Sequence, residues 1–148
     1  MSTSTTQPYE TFIRATPEEV WAALTRPEHT ERYFFGTRVA LDVERRTIRY
    51  AMADGALMVD GEVLALSAPR ELTTTWRVHY DPGAAGEVSR VTWRVEPRGK
   101  ATKLTVIHAL EGAPVTAKNV GADGWSVVLS GLKTLLETGS PLELAPPA

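Results

Sequence analysis

Hydrophobic and polar positions alternate with two different periods along this chain, and the change between them divides it. From residue 37 to residue 110 the period is two, and six strands are expected at about 38–43, 46–53, 57–66, 71–80, 88–96 and 102–110. In the fourth of these, Leu72, Thr74, Trp76, Val78 and Tyr80 share one face, while Thr73, Thr75, Arg77 and His79 take the other. Val91, Trp93 and Val95 repeat the pattern in the next strand, and Leu104, Val106, His108 and Leu110 in the last. The links are turn material: Asp54-Gly55, Ser67-Ala68-Pro69, Asp81-Pro82-Gly83 and Pro97-Arg98-Gly99. Such short links make successive strands antiparallel, because a parallel return needs a crossover of about a dozen residues or more. One wall of the sheet therefore carries two tryptophans and a histidine.

Beyond the strands the period becomes helical. Between about Ala117 and Thr138 the bulky residues are Val120, Trp125, Val128, Leu129, Leu132, Leu135 and Leu136, with Ser126, Ser130, Lys133 and Glu137 opposite. One long C-terminal helix with an apolar stripe is expected, covering the inner face of the sheet. Before the strands, YETFIR (9–14) alternates well enough for a first strand. TPEEVWAAL then reads as a helix start, with Thr16 as N-cap, Pro17 at the first helical position and Glu19 completing a capping box. That helix ends before Pro27. A second short helix, about Pro27 to Phe35, carries Tyr33, Phe34 and Phe35 and stops at Gly36. Residues 1–7 and 140–148 read as polar or proline-rich tails around one ordered domain, 9–139.

Composition narrows the possibilities. The 148 residues, 43% hydrophobic and 23% charged, suit one real core rather than two. A net charge of -2 gives nucleic acid no long-range attraction, and Arg45-Arg46 alone is no basic stripe. No apolar run reaches the roughly 20 residues of a membrane span, and MSTSTTQPYE has neither region of a secretory signal. The absence of Cys rules out disulfides and thiolate chemistry and agrees with a cytoplasmic location. Three scattered histidines offer no metal-ligand spacing, no GxSxG or phosphate-binding loop occurs, and no cofactor is expected.

The succession of strand, two short helices, six-stranded meander and long C-terminal helix is that of the helix-grip fold, an α+β architecture with about seven strands. YETFIRATPEEVWAALTRPEHTERYFFG resembles the opening of proteins homologous to the activator of the 90-kDa heat-shock protein's ATPase, a family within the START-like, pollen-allergen-like superfamily. VDGEVLALSAPRELTTTW, KLTVIHAL and GWSVVLSGLKTLLETG continue the same pattern, so the resemblance spans about Tyr9 to Gly139. It implies a curved antiparallel sheet wrapped around the terminal helix, with a cavity between them. It also implies an apolar or aromatic ligand entering beneath the short helices and loops. Co-chaperone members carry a further N-terminal domain that this sequence lacks, so a chaperone partner is the weaker of the implications.

The candidate cavity lining is Trp76, Trp93 and His108 from the sheet, Trp125 and Leu129 from the helix, and Phe34 and Phe35 at the mouth, with Met52 and Met58 contributing. The same residues at the same spacing would also make an ordinary filled core. His108 could donate to a ligand or act as acid or base; the plainer expectation is a buried neutral imidazole bonded within the protein. His79 and His29 are expected at the solvated surface. Strand period puts Asp60 and Glu62 on one face, where they are expected to be surface charge; turned inward, they would find Arg49 and Arg77 as partners. Gly61 between them suggests a bulge or a close backbone approach. The leading functional expectation is a binder of a small apolar or aromatic molecule. The alternatives are an interaction protein or homodimer with a filled core, and a cyclase or hydrolase using His108 or Asp60. A cavity of about 300 Å³ or more separates the first from the second.

Overall fold

A computed structural model describes residues 6–121 and 123–144. Strand β1 (Thr6–Ile13) is followed by helices α1 (Pro17–Thr25) and α2 (Pro27–Thr30). Six further strands follow: β2 (Arg38–Asp42), β3 (Thr47–Ala51), β4 (Leu57–Ser67), β5 (Glu71–Val78), β6 (Ser89–Arg98) and β7 (Ala101–Ala109). Helices α3 (Pro114–Gly121) and α4 (Gly124–Thr138) close the order. The strands form one antiparallel sheet ordered β1-β7-β6-β5-β4-β3-β2, so the first strand returns to pair with the last, Tyr9 opposite Val106. This is the expected helix-grip arrangement.

The capping box that opens α1 is made as its residues require. Glu19 N–H donates to Thr16 Oγ1 at 3.1 Å, and Thr16 N–H donates to Glu19 Oε1 at 2.9 Å. In the sheet, inward positions alternate with outward ones: Leu72, Thr74, Trp76 and Val78 are buried, and so are Val91, Trp93 and Val95. Register shifts at Tyr50/Ala51 and Val63/Ala65 interrupt the ladders, and at such irregularities a strand bends and twists more strongly. At Gly61 the close approach is real. A Cβ there would stand 1.8 Å from the Thr75 carbonyl oxygen, so no larger residue fits without moving backbone.

The terminal helical run differs from expectation. It is two helices, α3 ending at Gly121 and α4 starting at Gly124, with Asp123 in the left-handed region at a φ of 55° just before α4. The earlier helix begins at Pro114, and its first amides are held by a residue distant in sequence. Glu87 accepts from Val115 N–H at 3.1 Å, from Thr116 N–H at 2.9 Å and from the Thr116 hydroxyl at 2.8 Å. The apolar stripe of α4 buries Trp125, Val128, Leu129, Leu132 and Leu135 in one core with Val91, Trp93, Leu104 and Val106. The opposite side is less idle than a solvated face: Lys133 donates to the Phe12 carbonyl and to Glu137 Oε2, which also accepts from Arg14 N–H at 2.8 Å. These bonds fasten α4 to β1.

Candidate functional site

Between the inner face of β3–β5 and the start of α4 lies a cleft of about 920 Å³, near the top of the roughly 300–1,000 Å³ range of small-molecule sites. Each wall comes from an element already described. The turn after α2 supplies Phe34, β3 supplies Tyr50, β4 supplies Met58 and Val59, β5 supplies Trp76, and α4 supplies Trp125 and Val128. Phe35, Tyr80 and Leu144, 58%, 46% and 61% exposed, stand at its rim with Asn119 and Asp123.

Six of the lining residues are aromatic, and the buried rings hold one another. Centroids of Phe34 and Tyr50 lie 4.9 Å apart, Tyr50 and Trp76 5.3 Å, and Trp76 and Trp125 5.4 Å. Phe34 meets Trp125 edge-on at 6.0 Å. Contacts of this kind contribute about 0.5–1.5 kcal/mol each beyond the area they bury. Phe34, Tyr50, Trp76 and Trp125 are all buried, so the wall is built before any guest arrives.

A short polar chain fixes the Trp125 indole. Its Nε1–H donates to His108 Nδ1 at 3.0 Å. An indole nitrogen can only donate, so Nδ1 is the bare nitrogen and the ring proton sits on Nε2. Nε2–H donates to Ser89 Oγ at 2.7 Å, and that hydroxyl donates to the Trp76 carbonyl at 3.3 Å. His108 is fully buried, and desolvation brings its pKa down to about 4, so it is neutral at pH 7. Both nitrogens are spent on the protein, and His108 stands behind Trp125 rather than in the cleft wall.

Tyr50 is the opposite case. Its side chain is 2% exposed and borders the cleft, yet among the described residues its hydroxyl has no hydrogen-bond partner. Tyr33, equally buried, donates to the Ala23 carbonyl at 2.7 Å. Burial pushes the Tyr50 phenol well above its ordinary pKa, so it remains an un-ionised O–H. A buried hydroxyl left unsatisfied costs about 1–3 kcal/mol.

Of the residues singled out from the sequence, Phe34, Phe35, Met58, Trp76 and Trp125 come together around the cleft. Four lie elsewhere. Trp93 packs edge-on behind Trp125 at 5.3 Å, and Leu129 is buried in the core below it. His108 is held in the polar chain, and Met52 sits beside Gly36, outside the lining. Sequence reasoning passed over Tyr50, although it follows Ile48 at period two in a short strand and therefore had to face inward. Leu144 falls in the expected tail, where no periodicity marks it.

Asp60 and Glu62 lie on the outer face, as expected. Asp60 accepts from Arg77 at 3.3 Å and pairs with His79 Nε2 at 2.6 Å, with Arg49 opposite it in the register of β3. His79 is thus a partner in a cross-strand cluster rather than a free surface group. The cluster is on the far side of the sheet from the cleft, which leaves Asp60 no access to a guest. Among the described residues no group of three or more His, Asp or Glu side chains could hold a metal ion, and no helix is long and apolar enough to cross a membrane.

Comparison with known proteins agrees with this architecture. A family model described as Activator of Hsp90 ATPase homolog 1-like protein matches residues 14–137. No curated protein matches the chain. Among solved structures, the protein MLL2253 of Mesorhizobium loti is 28% identical with a TM-score of 0.71, over 89% of this chain and 96% of that one. CalU16 of Micromonospora echinospora is 25% identical, TM-score 0.71, over 93% and 76%. An HSP90 activator from Plasmodium falciparum shares the fold at 17% identity, TM-score 0.68, over 92% and 97%.

Proposed function

The chain belongs to the Activator of Hsp90 ATPase homolog 1-like family, and from that premise, since a fold alone fixes no chemistry, we propose that it binds a small apolar or aromatic molecule in the cleft between sheet and terminal helix. One observation carries the reading: a cleft of about 920 Å³ walled by Phe34, Tyr50, Trp76 and Trp125. Apolar area and prearranged rings favour a flat, uncharged guest, because burial in such a wall strips water from the guest without replacing many of its hydrogen bonds. Neither residue offered for catalysis reaches that space: His108 has spent both nitrogens, and Asp60 faces the other way.

Native mass spectrometry of the purified protein is the test. A co-purified species, or saturable uptake of a neutral polycyclic probe that Trp125→Ala abolishes, is the expected result. Failure of every such probe to bind would end the proposal. A second reading has its own observation: Phe35, Leu142 and Leu144 expose apolar surface around the mouth. A protein partner or second copy seated there would make the same surface an interface, and sedimentation at increasing concentration would reveal the second copy.

A further inference from the structure

Beyond the proposal of an apolar guest, and resting on it, we infer that Tyr50 is the specificity-determining group of the cleft, and that the ligand is an uncharged ring compound carrying a hydrogen-bond acceptor, such as a carbonyl oxygen, bonded by the Tyr50 hydroxyl. Tyr50 projects from the inner face of β3, between Phe34 at 4.9 Å and Trp76 at 5.3 Å, and borders the cleft. These flanking rings hold the Tyr50 ring in place. Two donors of the aromatic wall, the Tyr50 hydroxyl and the Trp76 Nε1–H, have no hydrogen-bond partner among the described residues. Of the remaining polar groups nearby, Trp125 Nε1–H is engaged with His108, the Thr37 hydroxyl with the Phe34 carbonyl at 2.7 Å and the Asn119 amide with Asp81 at 3.0 Å, while the Tyr80 hydroxyl stands at the exposed rim.

A phenol held un-ionised presents a proton, so the complementary atom is an acceptor. Its partner is uncharged for two reasons. The surrounding wall is apolar, which penalises a buried ion, and the acidic side chain at the rim, Asp123, repels an anion on approach. Sites built to bond one polar atom discriminate strongly against an analogue that lacks it, because the protein's own group is then buried unpaired.

The probes are fluorenone and fluorene, two uncharged tricyclic molecules of nearly equal shape that differ in one carbonyl oxygen. Equilibrium dialysis against wild type and Tyr50→Phe gives four affinities, with the fluorene pair serving also as the control for a folded cleft. Wild type is expected to hold fluorenone about tenfold more tightly than fluorene, the scale of one well-made hydrogen bond. Tyr50→Phe is expected to remove that gap by weakening fluorenone alone. Equal binding of both probes by wild type, unchanged in the variant, would overturn the role of Tyr50 and leave the apolar-guest reading standing. Equal weakening of both probes by the variant would assign Tyr50 to ring packing and also overturn it. Binding of neither probe to wild type would overturn both.

Discussion

Among single residues, His108 bears directly on the behaviour of the protein in acid. In the unfolded chain its imidazole takes up a proton near the ordinary 6.5; in the folded protein it does so only at about 4. Between those values the unfolded state binds more protons, so stability falls as the pH falls through that window, by up to roughly 1.4 kcal/mol per pH unit. Above pH 6.5 the contribution is constant. Urea unfolding across pH 4.5–6.5 should show this slope in wild type and a flatter one in His108→Gln, whose amide can still accept from Trp125 and donate to Ser89. An unchanged slope in the variant would assign the acid sensitivity to other groups. That a histidine lay on the inner face was legible at period two. That it would be bonded at both nitrogens was not, because Ser89 and Trp125 come from elements far apart in sequence.

At the scale of elements, α4 is the best test of the packing. Trp125→Ala removes an indole, its bond to His108 and the ring contacts with Trp76 and Trp93, and should cost about 3–5 kcal/mol in denaturant unfolding. Lys133→Ala should cost about 1 kcal/mol rather than nothing, since it frees the Phe12 carbonyl and Glu137. The apolar stripe of this helix was plain in the sequence, and so were the strands and the capping box of α1. The break at Asp123 was not: a single left-handed residue before Gly124 leaves the hydrophobic period nearly undisturbed. Glu87 as the holder of the α3 amides was equally hidden, because nothing local links it to Thr116.

For the molecule as a whole, ligand and fold are linked by mass action. A probe present at a hundred times its dissociation constant adds about 2.7 kcal/mol to stability. In a domain of this size that corresponds to a thermal midpoint about 5–10 °C higher. Fluorenone should give such a rise in wild type when that excess is reached, and differential scanning fluorimetry would read it. No shift at saturation would mean that the probe sits elsewhere or binds the unfolded chain equally well. The overall architecture was legible because four separated segments carried the same pattern in order. The cleft itself was less so: Trp76 and Trp93 look alike in sequence, one residue of each strand's inner row, yet one borders open space and the other lies behind a second indole. Only the path of α4 across the sheet decides which.

The pairing of β1 with β7 has a consequence for how the molecule comes into being. A ribosome adds about 5–20 residues per second, so Tyr9 emerges several seconds before Val106 exists to receive it. Throughout that interval the opening segment has no strand to lie against, and the meander from β2 to β6 must assemble with one border bare. Completion of the domain therefore waits on Ala101–Ala109, and a nascent chain stalled before Ala101 would leave bare the edge of β6 that β7 covers in the finished sheet, with β1 still lacking the strand it pairs with.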